Sequence, residues 1–211
     1  MSENWYDRHI LPYLLDLLCG MKPIRQQRAE VVPLAHGRVL EIGIGTGLNM
    51  PHYDKSRVSA IVGVDPALRM HALARRRIAR AGLRVELVGL SAETLPLADA
   101  SFDSILMTYT LCSIADPAAA LGEMRRVLAP GGQLIFCEHG RAPDASVRHW
   151  QARLQPAWGR VAGGCQLGRD IPRLLEQAGF ELHDMQSAYL KGPRPMTFNY
   201  WGVATGRVDS D

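Results

Sequence analysis

From residue 38 onward the chain alternates short apolar runs with stretches of helical periodicity, and no other feature limits its fold as much. "RVLEI" (38–42) reads as a buried strand and "VSAIVGVD" (58–65) as a second. Asp65 and Pro66 then resemble an N-cap and a first helical residue. The helix that follows, "ALRMHALARRRIARAG", is expected to turn Leu68, Ala72, Leu73 and Ala79 inward and to stop at Gly82. "RVELV" and "FDSILMT" supply a third and a fourth strand. Asp116 caps and Pro117 starts a helix with Ala120, Leu121, Met124, Val127 and Leu128 at helical spacing. After the "APGG" turn comes a fifth strand, "QLIFCEH"; Asp170 caps a helix that Gly179 ends, and "FELHDM" and "FNYWGVAT" close the chain as strands. The expected fold is α/β and Rossmann-like: a seven-stranded, mostly parallel sheet with helices on both faces. Residues 37–211 form this domain, and residues 1–36 form an N-terminal helical segment that covers it or docks on it.

In such sheets ligands bind beyond the C-terminal strand ends. The glycine loop, Asp65, "SAE" (91–93), "TLCS" (110–113) and "EHG" (138–140) all fall there. The loop "EIGIGTG" departs from the dinucleotide fingerprint: Gly43 and Gly45 fit, but the third glycine comes early, at Gly47, and Leu48 holds its place. Glu41 would oppose a pyrophosphate and favours a ligand that is cationic there. S-adenosylmethionine (SAM) has a sulfonium and an α-ammonium group and no phosphate. Asp65 is placed to accept hydrogen bonds from both of its ribose hydroxyls.

Composition narrows the partners. A chain 47% apolar and 21% charged is a globular balance, and a net charge of +3 is too small to argue for nucleic acid. Arg75, Arg76, Arg77 and Arg80 cluster on a helix and read as its solvated face. The four cysteines, Cys19, Cys112, Cys137 and Cys165, show no CxxC pair and no Cys/His ligand spacing, so the expectation is reduced thiols and no metal. No signal peptide is visible, and "ILPYLLDLLCGM" (10–21) is shorter than a membrane span. A cytoplasmic monomer or homodimer is expected, with residues 10–21 as the one point for a weak contact with a membrane surface.

The span from Val39 to Phe136 resembles the class I SAM-dependent methyltransferases. "EIGIGTG" matches their first motif, "VGVDP" the acid after strand two, "SAETLPLADASFD" the adenine-side loop and "LAPGG" the turn before strand five. Ser91 departs from the acid that many relatives carry, and the Ala92 amide is a substitute contact. The resemblance implies SAM as cofactor, held by Glu41, Gly43, Gly45, Thr46, Gly47, Asn49, Asp65, Pro66, Met70, Ser91, Ala92, Glu93 and Thr108. A narrower resemblance rests on "TLCSI", "EHG", "LQPAW", "GGCQLGRDI" and "YWGVA". It is to the vertebrate membrane-associated methyltransferase-like proteins that methylate alkyl thiols, and to their bacterial relatives, some of which are labelled phospholipid or quinone methyltransferases.

Methyl transfer from a sulfonium is an in-line displacement that needs positioning and exclusion of water, with no covalent enzyme intermediate. A small or lipid-like apolar acceptor is expected, with a thiol sulfur first and a phospholipid amine or a quinone as the alternative. His139 is the candidate base and Tyr109 a second catalytic candidate. Thr110, Cys112, Trp158 and Cys165 are expected to line the acceptor pocket, with Trp150 and Trp201 as further walls and Tyr6 and His9 closing over SAM. A nicotinamide oxidoreductase, an RNA-modifying protein and a non-catalytic SAM-binding module are the rival classes. Glu41 and Leu48 speak against the first, and the lack of aromatics among the arginines against the second.

Overall fold

The computed structural model describes residues 5–207. Strands β1 (Gly37–Ile42), β2 (Val58–Val64), β3 (Val85–Val88), β4 (Phe102–Thr108), β5 (Leu128–His139), β6 (Phe180–Tyr189) and β7 (Phe198–Gly206) form one sheet in the order β3-β2-β1-β4-β5-β7-β6. The pairs from β3 to β5 are parallel, and β7 runs antiparallel to both β5 and β6. The order reverses between β1 and β4, which opens a crevice at their C-terminal ends. Two apolar cores fill the two faces. Phe102, Phe136, Leu121 and Met124 belong to one; Val39, Ile61, Leu106 and Ile135 belong to the other.

Helix α4 (Leu68–Ala81) starts later and turns differently than its sequence predicts. Ala67, and not Asp65, stands at its N-cap. Leu68 is 65% exposed and Ala72 and Ala79 also face outward, while His71, Ala74 and Ala81 are buried. The cause is a close approach: a Cβ on Gly47 would stand 3.1 Å from the Ala74 Cα, so a small residue must face the glycine loop there. Helix α5 (Pro117–Val127) follows its pattern, with the Asp116 carboxylate accepting from the Ala118 and Ala119 amides. Helix α7 (Ile171–Gln177) is capped by Asp170.

Three further helices fall in the N-terminal segment expected to be helical, and two others carry no clear sequence pattern. α1 (Trp5–His9), α2 (Leu11–Cys19) and α3 (Lys22–Val31) precede the sheet; α6 (Ala145–Val161) contains Pro156, and α8 (Arg194–Thr197) is one short turn. α6 buries only Val147 and Gln151, so it has no apolar stripe to read. Among the described residues no helix is long and apolar enough to cross a membrane.

Candidate active site

Between β1 and β2 the glycine loop leads only into a single 3-10 turn, Met50–His52. No α-helix N-terminus points back at the loop, so the usual arrangement for holding a phosphate is missing from this connection. A cavity of about 440 Å³ opens there instead, over the ends of β1, β2 and β4. Its lining includes Gly43, Gly45, Thr46, Asp65, Pro66, Met70, Ser91, Ala92, Glu93, Thr108, Tyr109 and Thr110. These expected residues come from four separate segments, and the fold brings them around one space.

Asp65 braces this cavity. Its Oδ2 accepts from the Gly45 amide at 2.9 Å and its Oδ1 from the Ala67 amide at 2.8 Å. Burial pushes its carboxyl pKa up, against the pull of those two amides. Ser91 donates to Glu93, whose other oxygen accepts from the Asp116 amide at 3.3 Å. Gly43 has φ +67°, and the space where its Cβ would lie is filled by Thr110.

Glu41 does not stand at the mouth of the loop. It is 1% exposed, and its carboxylate accepts from Asn49 Nδ2 at 2.9 Å and from the Tyr53 hydroxyl at 2.7 Å. Neither Glu41, Gly47 nor Asn49 lines the cavity. The three hold the loop from behind, and the acids that face the cavity are Asp16, Asp65 and Glu93. Burial pushes the Glu41 carboxyl up to about 7, against hydrogen bonds from Tyr53 and Asn49. Its ordinary value is 4.5, so between the two values the folded state keeps a proton that the unfolded chain has released. Its contribution is therefore complete below pH 4.5 and is lost as pH rises through about 7. The loss is on the order of 3 kcal/mol. Denaturant titrations between pH 4.5 and 8 should show a steeper decline for the parent than for Glu41→Gln; parallel curves would contradict this.

Several expected acceptor residues lie elsewhere. The Tyr6 hydroxyl donates to the Val161 carbonyl at 2.7 Å, and His9 packs on Trp5 with ring centroids 5.6 Å apart, so neither closes the cavity. That role falls to α2, through Leu11, Leu15, Asp16 and Cys19. Asp16 is tied to the domain by Arg77 Nη1 at 2.8 Å, so Arg77 is not simply part of a solvated face. Trp150 is 53% exposed on α6, and Trp201 lies in the core with its indole N–H donating to Glu30.

Tyr109 lines the cavity, but its hydroxyl lies 3.6 Å from Cys137 Sγ. Burial pushes this phenol well above its ordinary range, so it stays neutral and is no base. Its φ of 55° is unusual for a side chain of this size. His139 also turns away. Its Nε2 lies 3.0 Å from Cys165 Sγ, in a cluster with Cys112 and Trp158 that is not part of the cavity lining. The neighbouring Cys165 hydrogen bond, then the His139 charge, hold the Cys112 thiol well below its usual range. The expected placement of His139, Cys112, Trp158 and Cys165 on the cavity wall is therefore corrected. They sit behind that wall, which is formed there by Ser113 and Gly163.

Sequence reasoning missed Arg28. It comes from α3, is 5% exposed, and donates to Asn49 Oδ1 at 2.6 Å and to Thr108. Its Nε has no partner. Among the described residues lining the cavity, Arg28 is the only lysine, arginine or histidine. An arginine one turn after Arg25 amid ordinary helical residues gives no sequence signal; only its burial against Asn49 and Thr108 makes it distinct.

A loop without a phosphate-binding helix, an acid after β2 and this strand order define the class I methyltransferase site. The methyltransferase domain family matches residues 40–136. A thiol S-methyltransferase of Homo sapiens is 36% identical over 159 residues, which cover 72% of this chain and 64% of that protein. A phosphatidylethanolamine N-methyltransferase of Cereibacter sphaeroides is 33% identical over 140 residues, 64% of this chain and 68% of that protein. A solved SAM-dependent methyltransferase of Thermotoga maritima, described as a possible histamine N-methyltransferase, superposes with a TM-score of 0.68. It is 26% identical, with 96% of this chain and 98% of that one covered. The chain belongs to the class I SAM-dependent methyltransferases. It spans less than two thirds of the human thiol methyltransferase's length.

Proposed function

We propose that this protein transfers the methyl group of SAM to the sulfur of an alkyl thiol with an apolar body. One observation carries the choice of acceptor. α2 lines the cavity with Leu11, Leu15, Asp16 and Cys19, Gly163 lies against Leu11, and no histidine or lysine lines the cavity among the described residues. An acceptor there must supply its own nucleophile. A thiol ionises at a pKa of about 8.5, whereas an alkylammonium such as a lysine's holds its proton to about 10.4. The thiol therefore needs the least help. α2 also exposes Tyr13 and Leu17, a surface suited to the arrival of a greasy molecule.

In this reading Asp65 takes the ribose hydroxyls, Ser91 to Glu93 lie along the adenine, and Asp16 faces the cationic end of SAM. Arg28 pairs with the carboxylate of the methionine moiety. Charged hydrogen bonds contribute about 1.5 to 3 kcal/mol, so Arg28→Met should weaken SAM about ten- to a hundredfold. Methylthioadenosine, which has no amino-acid part, should bind both proteins alike. Equal losses for both ligands would make Arg28 a mere loop support.

The acceptor is tested with initial rates for alkyl thiols of graded acidity. Below its pKa each thiol should gain about tenfold in rate per pH unit, as its thiolate fraction does. The midpoint should track the thiol. A single midpoint shared by all thiols would place a protein base in the step, and no turnover of any thiol would refute the reading.

A further inference from the structure

The cluster behind the cavity wall has no part in the mechanism just given. Cys112 lies in the loop after β4, His139 ends β5, and Cys165 lies in the loop after α6. Their ligand atoms all lie within 4.8 Å of one another. Both thiols are buried, at 3% and 6% exposure, against Ala162 and Trp158. Buried cysteines are commonly inert apolar filler. Filler does not account for two nitrogen groups aimed at one sulfur. His139 Nε2 lies 3.0 Å from Cys165 Sγ, and the indole N–H of Trp158 donates to the same sulfur from 3.2 Å. An indole nitrogen is a donor only, so that contact favours a sulfur rich in electrons. Hydrogen bonds of this kind support the thiolates of metal sites.

We propose that Cys112, His139 and Cys165 form a zinc-binding site. Zinc bonds of about 2.3 Å to sulfur and about 2.0 Å to nitrogen put tetrahedral ligand atoms roughly 3.5 to 3.8 Å apart. The three side chains reach that spacing with shifts on the order of an ångström. The donors are two sulfurs and an imidazole, with no oxygen among them, which selects against magnesium and calcium. On binding, each thiol gives its proton to solvent, and the two thiolates balance the charge of the ion. The fourth position takes water. The absence of ligand spacing in the sequence does not bear on this cluster, because the sheet topology and not a local motif assembles it. The metal would fasten the end of β5 to the two loops that supply Thr110, Ser113 and Gly163 to the cavity wall.

The full chain, reduced and stripped with chelator under anaerobic conditions, is titrated with Co2+. The proposal expects one equivalent to bind, with thiolate-to-cobalt charge transfer and the intense visible bands of a tetrahedral site. Zn2+ should bleach both and remove two of the four thiols from reaction with a thiol reagent. Cys112→Ser and Cys165→Ser should each lose the charge-transfer spectrum and still bind SAM, which shows that they are folded. A parent protein without that spectrum, or serine variants that keep it in full, would overturn the site.

Discussion

Gly43→Ala is expected to destabilise the fold by about 2 to 5 kcal/mol and to abolish measurable SAM binding. Two costs combine. A side chain held at positive φ costs about 1 to 2 kcal/mol, and overpacking adds about 1 to 3. The φ here is +67°, and an added Cβ would stand 2.2 Å from Thr110 Oγ1, 2.3 Å from its Cγ2 and 2.8 Å from its Cβ. No rotation of Thr110 clears all three atoms. Its backbone cannot yield easily either, because the Thr110 and Leu111 amides both donate to the buried Glu138 carboxylate. The loop must then shift into the cavity. Denaturant unfolding and calorimetry with SAM check both parts; an alanine variant that binds SAM within threefold of the parent would contradict them.

Asp65→Ala should weaken SAM by about 1.5 to 3 kcal/mol, from the loss of charged hydrogen bonds to the ribose. The stability of the fold should fall less. Asp65 is not the α4 cap, but its two oxygens tie the Gly45 and Ala67 amides, both near solvent at the cavity edge. Each amide can rebind water when the carboxylate goes, so this loss should be near 1 kcal/mol. Equal losses in melting and binding free energy would mean that Asp65 only braces the loop.

The sheet was legible because its central strands β1, β2 and β4 are largely buried on both faces and read as continuous apolar runs between turn residues. All seven are found, and so are α5 and α7, whose aspartate caps and following Pro mark their starts. The inward face of α4 was not legible. Hydrophobicity points to Leu68, whereas the close approach of Gly47 demands the small Ala74. α6 was missed because it carries a proline and buries little.

The SAM side of the site could be read because it is made of short local motifs at strand ends. Glu41 was read in the right place along the chain but on the wrong side of the loop. Side-chain direction at a strand end depends on Asn49 and Tyr53, which lie outside the motif. The acceptor side was less legible for the same reason. Arg28, Leu11 and Leu15 come from the N-terminal helices, and the cysteines and His139 meet only through the topology of β4, β5 and the loop after α6.

The central claim is methyl transfer to a thiol. It is tested most directly by offering an alkyl thiol, phosphatidylethanolamine vesicles and a quinol together to the protein with methyl-labelled SAM. Mass spectrometry then shows where the label goes. The account predicts a labelled methyl thioether as the main product, with S-adenosylhomocysteine formed in equal amount. Label in the phospholipid amine or the quinol, with the thiol untouched, would contradict it.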